Sequence, residues 1–141
     1  MHTHVHILAW IDDTKILASL MKCIGVSYNH YYRRQYDYHG HLWHGRFRTV
    51  VIENESHWAA CGRYIELNAV RAKICKRPEK YIWSSYHYYA FGKEDPLLHP
   101  IKGMPGCENW TKDVGSSEYR KFVLAGIDMD QNAMKRLYST K

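Results

Sequence analysis

His4-Val5-His6-Ile7-Leu8-Ala9-Trp10 is a short apolar run with β-branched residues, closed by Asp12 and Asp13. That pattern predicts a strand. Alternate side chains of a strand share a face, so His4 and His6 offer two imidazoles to one metal ion, and His2 can join them. From Asp13 or Thr14 as N-cap, apolar residues recur at three- and four-residue steps: Ile16, Leu17, Leu20, Met21, Ile24, Tyr28, Tyr31 and Tyr32. This spacing predicts one long amphipathic helix ending near Tyr36. Two glycines and three histidines between Asp37 and Gly45 predict a loop, and the β-branched run from Phe47 to Glu53 predicts a second strand. Asn54 or Ser56 then caps a second helix through about Ala72, with Trp58, Cys61, Ile65 and Val70 turned inward. Pro78 marks a break, and the aromatic stretch Tyr81 to Phe91 is expected as a short helix or turn packed on the core. Three prolines and two glycines make Asp95 to Asn109 an expected loop, and Ser117 to Gly126 an expected last helix. The alternation of strand and helix predicts an α+β fold, with both strands in one antiparallel sheet and both long helices on one of its faces.

A chain of 141 residues, 45% hydrophobic and 24% charged, has the composition of one folded domain. Lys and Arg outnumber Asp and Glu by 20 to 14, and the chain also carries ten His and twelve Tyr. Cations that neutralise phosphates, mixed with flat rings that stack on bases, suit a nucleic-acid partner. No stretch approaches the roughly 18 apolar residues of a membrane span, and the first residues lack a signal-peptide pattern. A cytoplasmic protein without a membrane partner is expected. Cys23, Cys61, Cys75 and Cys107 form no CxxC pair, so neither a zinc knuckle nor a disulfide framework is indicated.

Tyr64 and Asn68 stand one helical turn apart, which puts a phenol and an amide on one face of the second helix, flanked by Arg63 and Arg71. Combined with the histidine pair, they describe a reaction. A phenolate attacking a phosphodiester needs a cation on the non-bridging oxygens, and a set of two imidazoles and an amide oxygen suits Mg²⁺ or Mn²⁺. Attack by Tyr conserves the phosphodiester energy, so a later hydroxyl can rejoin the strands. Arg46 and Arg48 enter the second strand from the His- and Trp-rich loop, where Trp43 can stack on a base. Lys15, Lys22, Arg33 and Arg34 read as a solvated face.

The run Met1-His2-Thr3-His4-Val5-His6-Ile7-Leu8 resembles the HUH-motif strand of the single-tyrosine insertion-sequence transposases, especially the REP-associated tyrosine transposases. Further segments follow in the family's order: Ser27-Tyr28-Asn29-His30-Tyr31-Tyr32, Gly40-His41-Leu42-Trp43-His44-Gly45-Arg46-Phe47, Arg63-Tyr64-Ile65-Glu66-Leu67-Asn68-Ala69-Val70-Arg71-Ala72, and Tyr81-Ile82-Trp83-Ser84-Ser85-Tyr86. The resemblance spans residues 1 to about 91, with a weaker echo at Glu118 to Val123. It implies that His4, His6 and Asn68 hold the metal, and that Tyr64 forms a 5′-phosphotyrosine on single-stranded or hairpin DNA. Arg46, Arg48, Arg63, Arg71 and Trp43 are the expected DNA contacts. Ala69 stands where the family has a proline after the Asn, and His2 where it has a proline before the histidine pair.

Family members carry a strand, helix and strand ahead of the HUH motif that complete a ferredoxin-like sheet. This chain opens at the motif, so the resemblance implies a partial ferredoxin-like fold: an incomplete catalytic core at 1–91 and an extension at 92–141. An unpaired sheet edge invites a second copy, and a homodimer is expected. A different class of function is a catalytically silent module that binds hairpin DNA, a transposase remnant. A relaxase-like nuclease would favour a second tyrosine one turn from Tyr64, and the helix has none.

Overall fold

The computed structural model describes Met1, residues 3–100, residue 111 and residues 115–127. The expected roles of His2, Cys107 and the loop beyond residue 100 lie outside the described residues. Among the described residues four helices follow in order: α1 (Thr14–Tyr36), α2 (Glu55–Arg71), α3 (Tyr86–Phe91) and α4 (Ser117–Leu124), with a 3-10 turn at Pro78–Lys80 before α3. The chain divides into two compact units, one formed by Ala9–Val50 and the other by Met1–Leu8 with Val51–Lys141.

The ends of the helices obey local chemistry. Asp13 caps α1 by accepting from the Lys15 N–H at 2.8 Å, and Asn54 caps α2 by accepting from the His57 N–H at 2.9 Å. Each satisfies an N–H that the first turn leaves without a helical partner. At the far end of α2, the Lys73 N–H bonds the Val70 carbonyl and the Ile74 N–H bonds the Ala69 carbonyl, both at 2.9 Å. This paired closure requires a left-handed residue, and Lys73 takes it at φ 57°. Arg33 and Arg34 fall in the last turn of α1, where cations offset the carbonyl end of the helix dipole.

In the unit Ala9–Val50, α1 carries the loop that follows it. The Trp43 indole N–H donates to the Gly25 carbonyl at 3.0 Å and its ring lies 5.7 Å from Tyr28, while the Arg33 guanidinium donates to the Gly40 carbonyl. None of the 23 residues of α1 is buried.

The other unit holds the core. Leu67 of α2 packs with Tyr86, Tyr88, Tyr89 and Ala90 of α3 and with Tyr119 and Val123 of α4, bordered by Leu8, Trp58, Leu98 and Phe122. Small residues Ala59, Gly62 and Ala69 lie along the buried side of α2 and let neighbours approach closely. Of the aromatic stretch before Gly92, Tyr86, Tyr88, Tyr89 and Ala90 are interior, as expected of a segment packed on the core, whereas Ile82, Trp83 and Phe91 stay exposed. Gly115, at φ 66°, lies so close to the backbone of Phe91 and Gly92 that a Cβ would collide with it. The α4 segment, from the expected extension 92–141, belongs to this core.

The expected α+β, ferredoxin-like architecture is not what the chain forms. Among the described residues there is no strand, only an isolated bridge between Thr111 and Gly115. Neither His4–Trp10 nor Phe47–Glu53 joins a ladder, so the antiparallel sheet, and with it the placement of two helices on its face, is withdrawn. The physical reason is that a β-branched run fits a pleated, half-buried surface without specifying a partner. Here Val5, Ile7, Trp10 and Val51 are all exposed; Leu8 packs against the core, but neither run presents the continuous buried face that a sheet needs.

Candidate functional site

The histidine segment belongs to the core-bearing unit and is anchored on both sides of the pair. The Met1 amine donates to the Tyr81 hydroxyl at 2.6 Å, and Leu8 packs against the core. Between these points the His4 and His6 rings meet edge to face with centroids 4.9 Å apart, and the His6 ring meets Tyr64 in the same manner at 5.4 Å. The alternation argument for the pair presumed a strand. The two rings nevertheless adjoin without one.

Tyr64 is presented by α2, and Arg71, two turns on, places its guanidinium carbon 5.7 Å from the centre of the Tyr64 ring. Arg71 is held there by donating to the Gly126 carbonyl at 3.0 Å, just beyond α4. Arg63 turns elsewhere and lies 3.9 Å over the ring of Phe122. A side chain at Gly126 would run into Arg63, so this glycine leaves room for the arginine beside it. Burial, then the neighbouring Arg71 charge, lowers the affinity of Arg63 for its proton. Asn68 lies one turn beyond Tyr64 and is buried; its Nδ2 has no hydrogen-bond partner among the described residues. The structure thus joins His4, His6, Tyr64 and Arg71, and leaves Asn68 adjacent on the same helix. Trp43, Arg46 and Arg48 belong to the Ala9–Val50 unit, where Arg46 and Arg48 are exposed. Their expected common face depended on the withdrawn strand.

Two imidazoles are borderline nitrogen donors for a divalent cation, and a harder cation would lean on added oxygen ligands. His6 Nε2 is buried without a hydrogen-bond partner among the described residues. Burial, then His4 and the Met1 amine, lowers the His6 pKa below its ordinary 6.5, which favours the neutral imidazole that a cation requires. Among the described residues no three His, Cys, Asp or Glu side chains gather as a metal set.

Glu66 is a residue the sequence reading passed over. It lies on the small-residue side of α2, 2% exposed, and its Oε1 accepts from the Ser85 hydroxyl at 2.6 Å and the Tyr119 hydroxyl at 3.2 Å. Burial pushes its carboxyl up to about 7, although the hydrogen bonds it accepts pull the other way. The available signal was an acid placed in register with Ala59, Gly62 and Ala69, a stripe that can only be interior.

Searches against protein-family models, curated proteins and solved structures found no match.

Proposed function

We propose that the chain is a metal-dependent DNA strand transferase of the single-tyrosine HUH transposase type, acting on single-stranded or hairpin DNA in DNA transposition and recombination. The observation that carries this reading is the unbroken sequence of ring contacts His4–His6–Tyr64. Segments far apart in the chain bring a cation-binding pair against a phenol, the juxtaposition the reaction needs. His4, His6 and Asn68 are the residues to hold Mg²⁺ or Mn²⁺, which supplies positive charge to the non-bridging oxygens of a phosphodiester when bound.

The chain's own residues do the rest. The Tyr64 oxygen attacks phosphorus, the bond to the 3′ oxygen breaks, and a 5′-phosphotyrosine is left on the protein. The phenol gives up its proton and the departing 3′ oxygen takes one, so the step is balanced and reversible. Arg71, fixed by Gly126, meets phosphate oxygens beside the Tyr64 ring. Arg63, Arg46, Arg48 and Trp43 add contacts to the strand. The protein works in the cytoplasm as a homodimer, a state that the resemblance implies and that no longer rests on an unpaired sheet edge.

A silent hairpin-binding module is the second reading. It is favoured by the Ala9–Val50 unit, which has exposed Trp43, Arg46 and Arg48 but none of the reactive residues. The two readings part on one assay. With labelled hairpin oligonucleotides and Mn²⁺, the transferase gives a denaturation-resistant adduct, abolished by EDTA and by Tyr64→Phe. Binding without any adduct identifies the silent module.

A further inference from the structure

Among the described residues Glu66 is the one fully buried carboxylate, and it ties together three elements. Ser85, at the entrance to α3, and Tyr119, in the first turn of α4, both donate to the same oxygen, Oε1. Donors from two directions fix that oxygen in space more firmly than one could. Helical residues advance by about 100° each, so Tyr64 and Asn68 lie within about 40° of each other, while Glu66 falls on the opposite side of α2 from both. Its neighbours on that side, Ala59, Gly62 and Ala69, project little, so the registration of α2 against α3 and α4 falls to the buried Leu67 and to the directional hydrogen bonds of Glu66.

We propose that Glu66 is a positioning residue: its two hydrogen bonds set the rotation of α2 about its own axis and thereby aim Tyr64 at the His6 ring on the far side. The lever is long. Rotating the helix by about 10° carries a tyrosine oxygen roughly 1.5 Å sideways, and misplacement of a reacting atom by about 1 Å costs about a hundredfold in rate. An apolar side chain of similar size would fill the same space without the desolvation cost of a carboxyl, but would leave the direction of the helix unspecified. Oε1 accepts both bonds whether or not the carboxyl carries a proton, so a glutamine can do the same.

The structural part of this inference rests on the Glu66 hydrogen bonds and the His6–Tyr64 ring contact, and its consequence for rate rests on the reading of Tyr64 as nucleophile. The test therefore reads both in the full-length chain. Short-range NOEs between the His6 and Tyr64 rings, measured without DNA or metal, are expected in wild type, kept in Glu66→Gln and lost in Glu66→Ala. Ser85→Ala combined with Tyr119→Phe removes the donors without emptying the site and is expected to weaken the same NOEs; this pair decides the matter should Glu66→Ala not fold. Val123→Ala, a cavity in the same core, is expected to lower the melting temperature and keep the NOEs. Adduct formation should fall about a hundredfold in Glu66→Ala and recover in Glu66→Gln. Intact NOEs in Glu66→Ala or the double variant, or equal loss in Val123→Ala, would overturn the positioning role. A wild type that shows the NOEs but forms no adduct would overturn the transferase reading and leave the assignment of Glu66 standing.

Discussion

α1 and α2 are both long, capped helices, yet only one of them builds a core. α1 has the more regular apolar repeat, with Ile16, Leu20, Ile24 and Tyr28 at four-residue steps, and all four remain exposed. α2 has a mixed face of Ala59, Gly62, Glu66, Leu67 and Ala69, and these disappear from solvent together with Cys61 and Asn68. The difference teaches that periodicity and capping decide whether a helix forms, while close approach by small residues and shared polar partners decides what it packs against. Helix stability in α1 is local, whereas in α2 it is bound to Tyr86, Tyr119 and Val123.

The largest effect that separates the two helices is a core deletion. Leu67→Ala should cost about 2–5 kcal/mol in urea unfolding, whereas Leu20→Ala should stay within about 0.5 kcal/mol. Hydrogen exchange should correspondingly show α1 amides opening more readily than α2 amides. Similar costs at the two positions would erase the contrast.

Next comes pH. The Glu66 carboxyl titrates at about 7 in the fold against an ordinary 4.5, so the folded chain binds a proton over that interval and the unfolded chain does not. Its contribution to stability is therefore fully present below 4.5 and is lost as pH rises through about 7. Thermal melts of wild type and Glu66→Gln should diverge in slope across this window, with the glutamine variant flatter. Parallel curves would mean that Glu66 is ionised in the fold throughout.

Smaller and deliberately equal effects are expected at the caps. Asp13→Ala and Asn54→Ala should each cost their own helix about 1 kcal/mol, because each removes one side-chain acceptor from a first turn. Unequal costs would show that tertiary packing, rather than the cap, governs one of the ends. The smallest change is a gain: Lys73→Gly should add about 0.5 kcal/mol by relieving the left-handed backbone at the end of α2.

These contrasts also explain what the sequence could reveal. Caps are local: of the expected pairs Asp13 or Thr14 and Asn54 or Ser56, the structure takes Asp13 and Asn54, and the end near Tyr36 matches α1. The Tyr64 and Asn68 placement followed from helical spacing once α2 was recognised. The sheet did not follow, because Val5, Ile7 and Val51 state a preference for a half-buried surface but name no neighbour. The His6–Tyr64 contact was expected only through the resemblance to the HUH family, since nothing in spacing joins residues so far apart. Glu66 was missed because an isolated acid reads as surface unless the residues three and four positions away are weighed with it.

The central claim is that Tyr64 is the nucleophile of a strand transferase, and the most direct test is mass spectrometry of the protein after incubation with single-stranded hairpin DNA and Mn²⁺. The account predicts a nucleotide joined through its 5′ phosphate to the peptide containing Tyr64, absent from Tyr64→Phe and from reactions with EDTA. Attachment to any other tyrosine, or an adduct that persists in Tyr64→Phe, would contradict it.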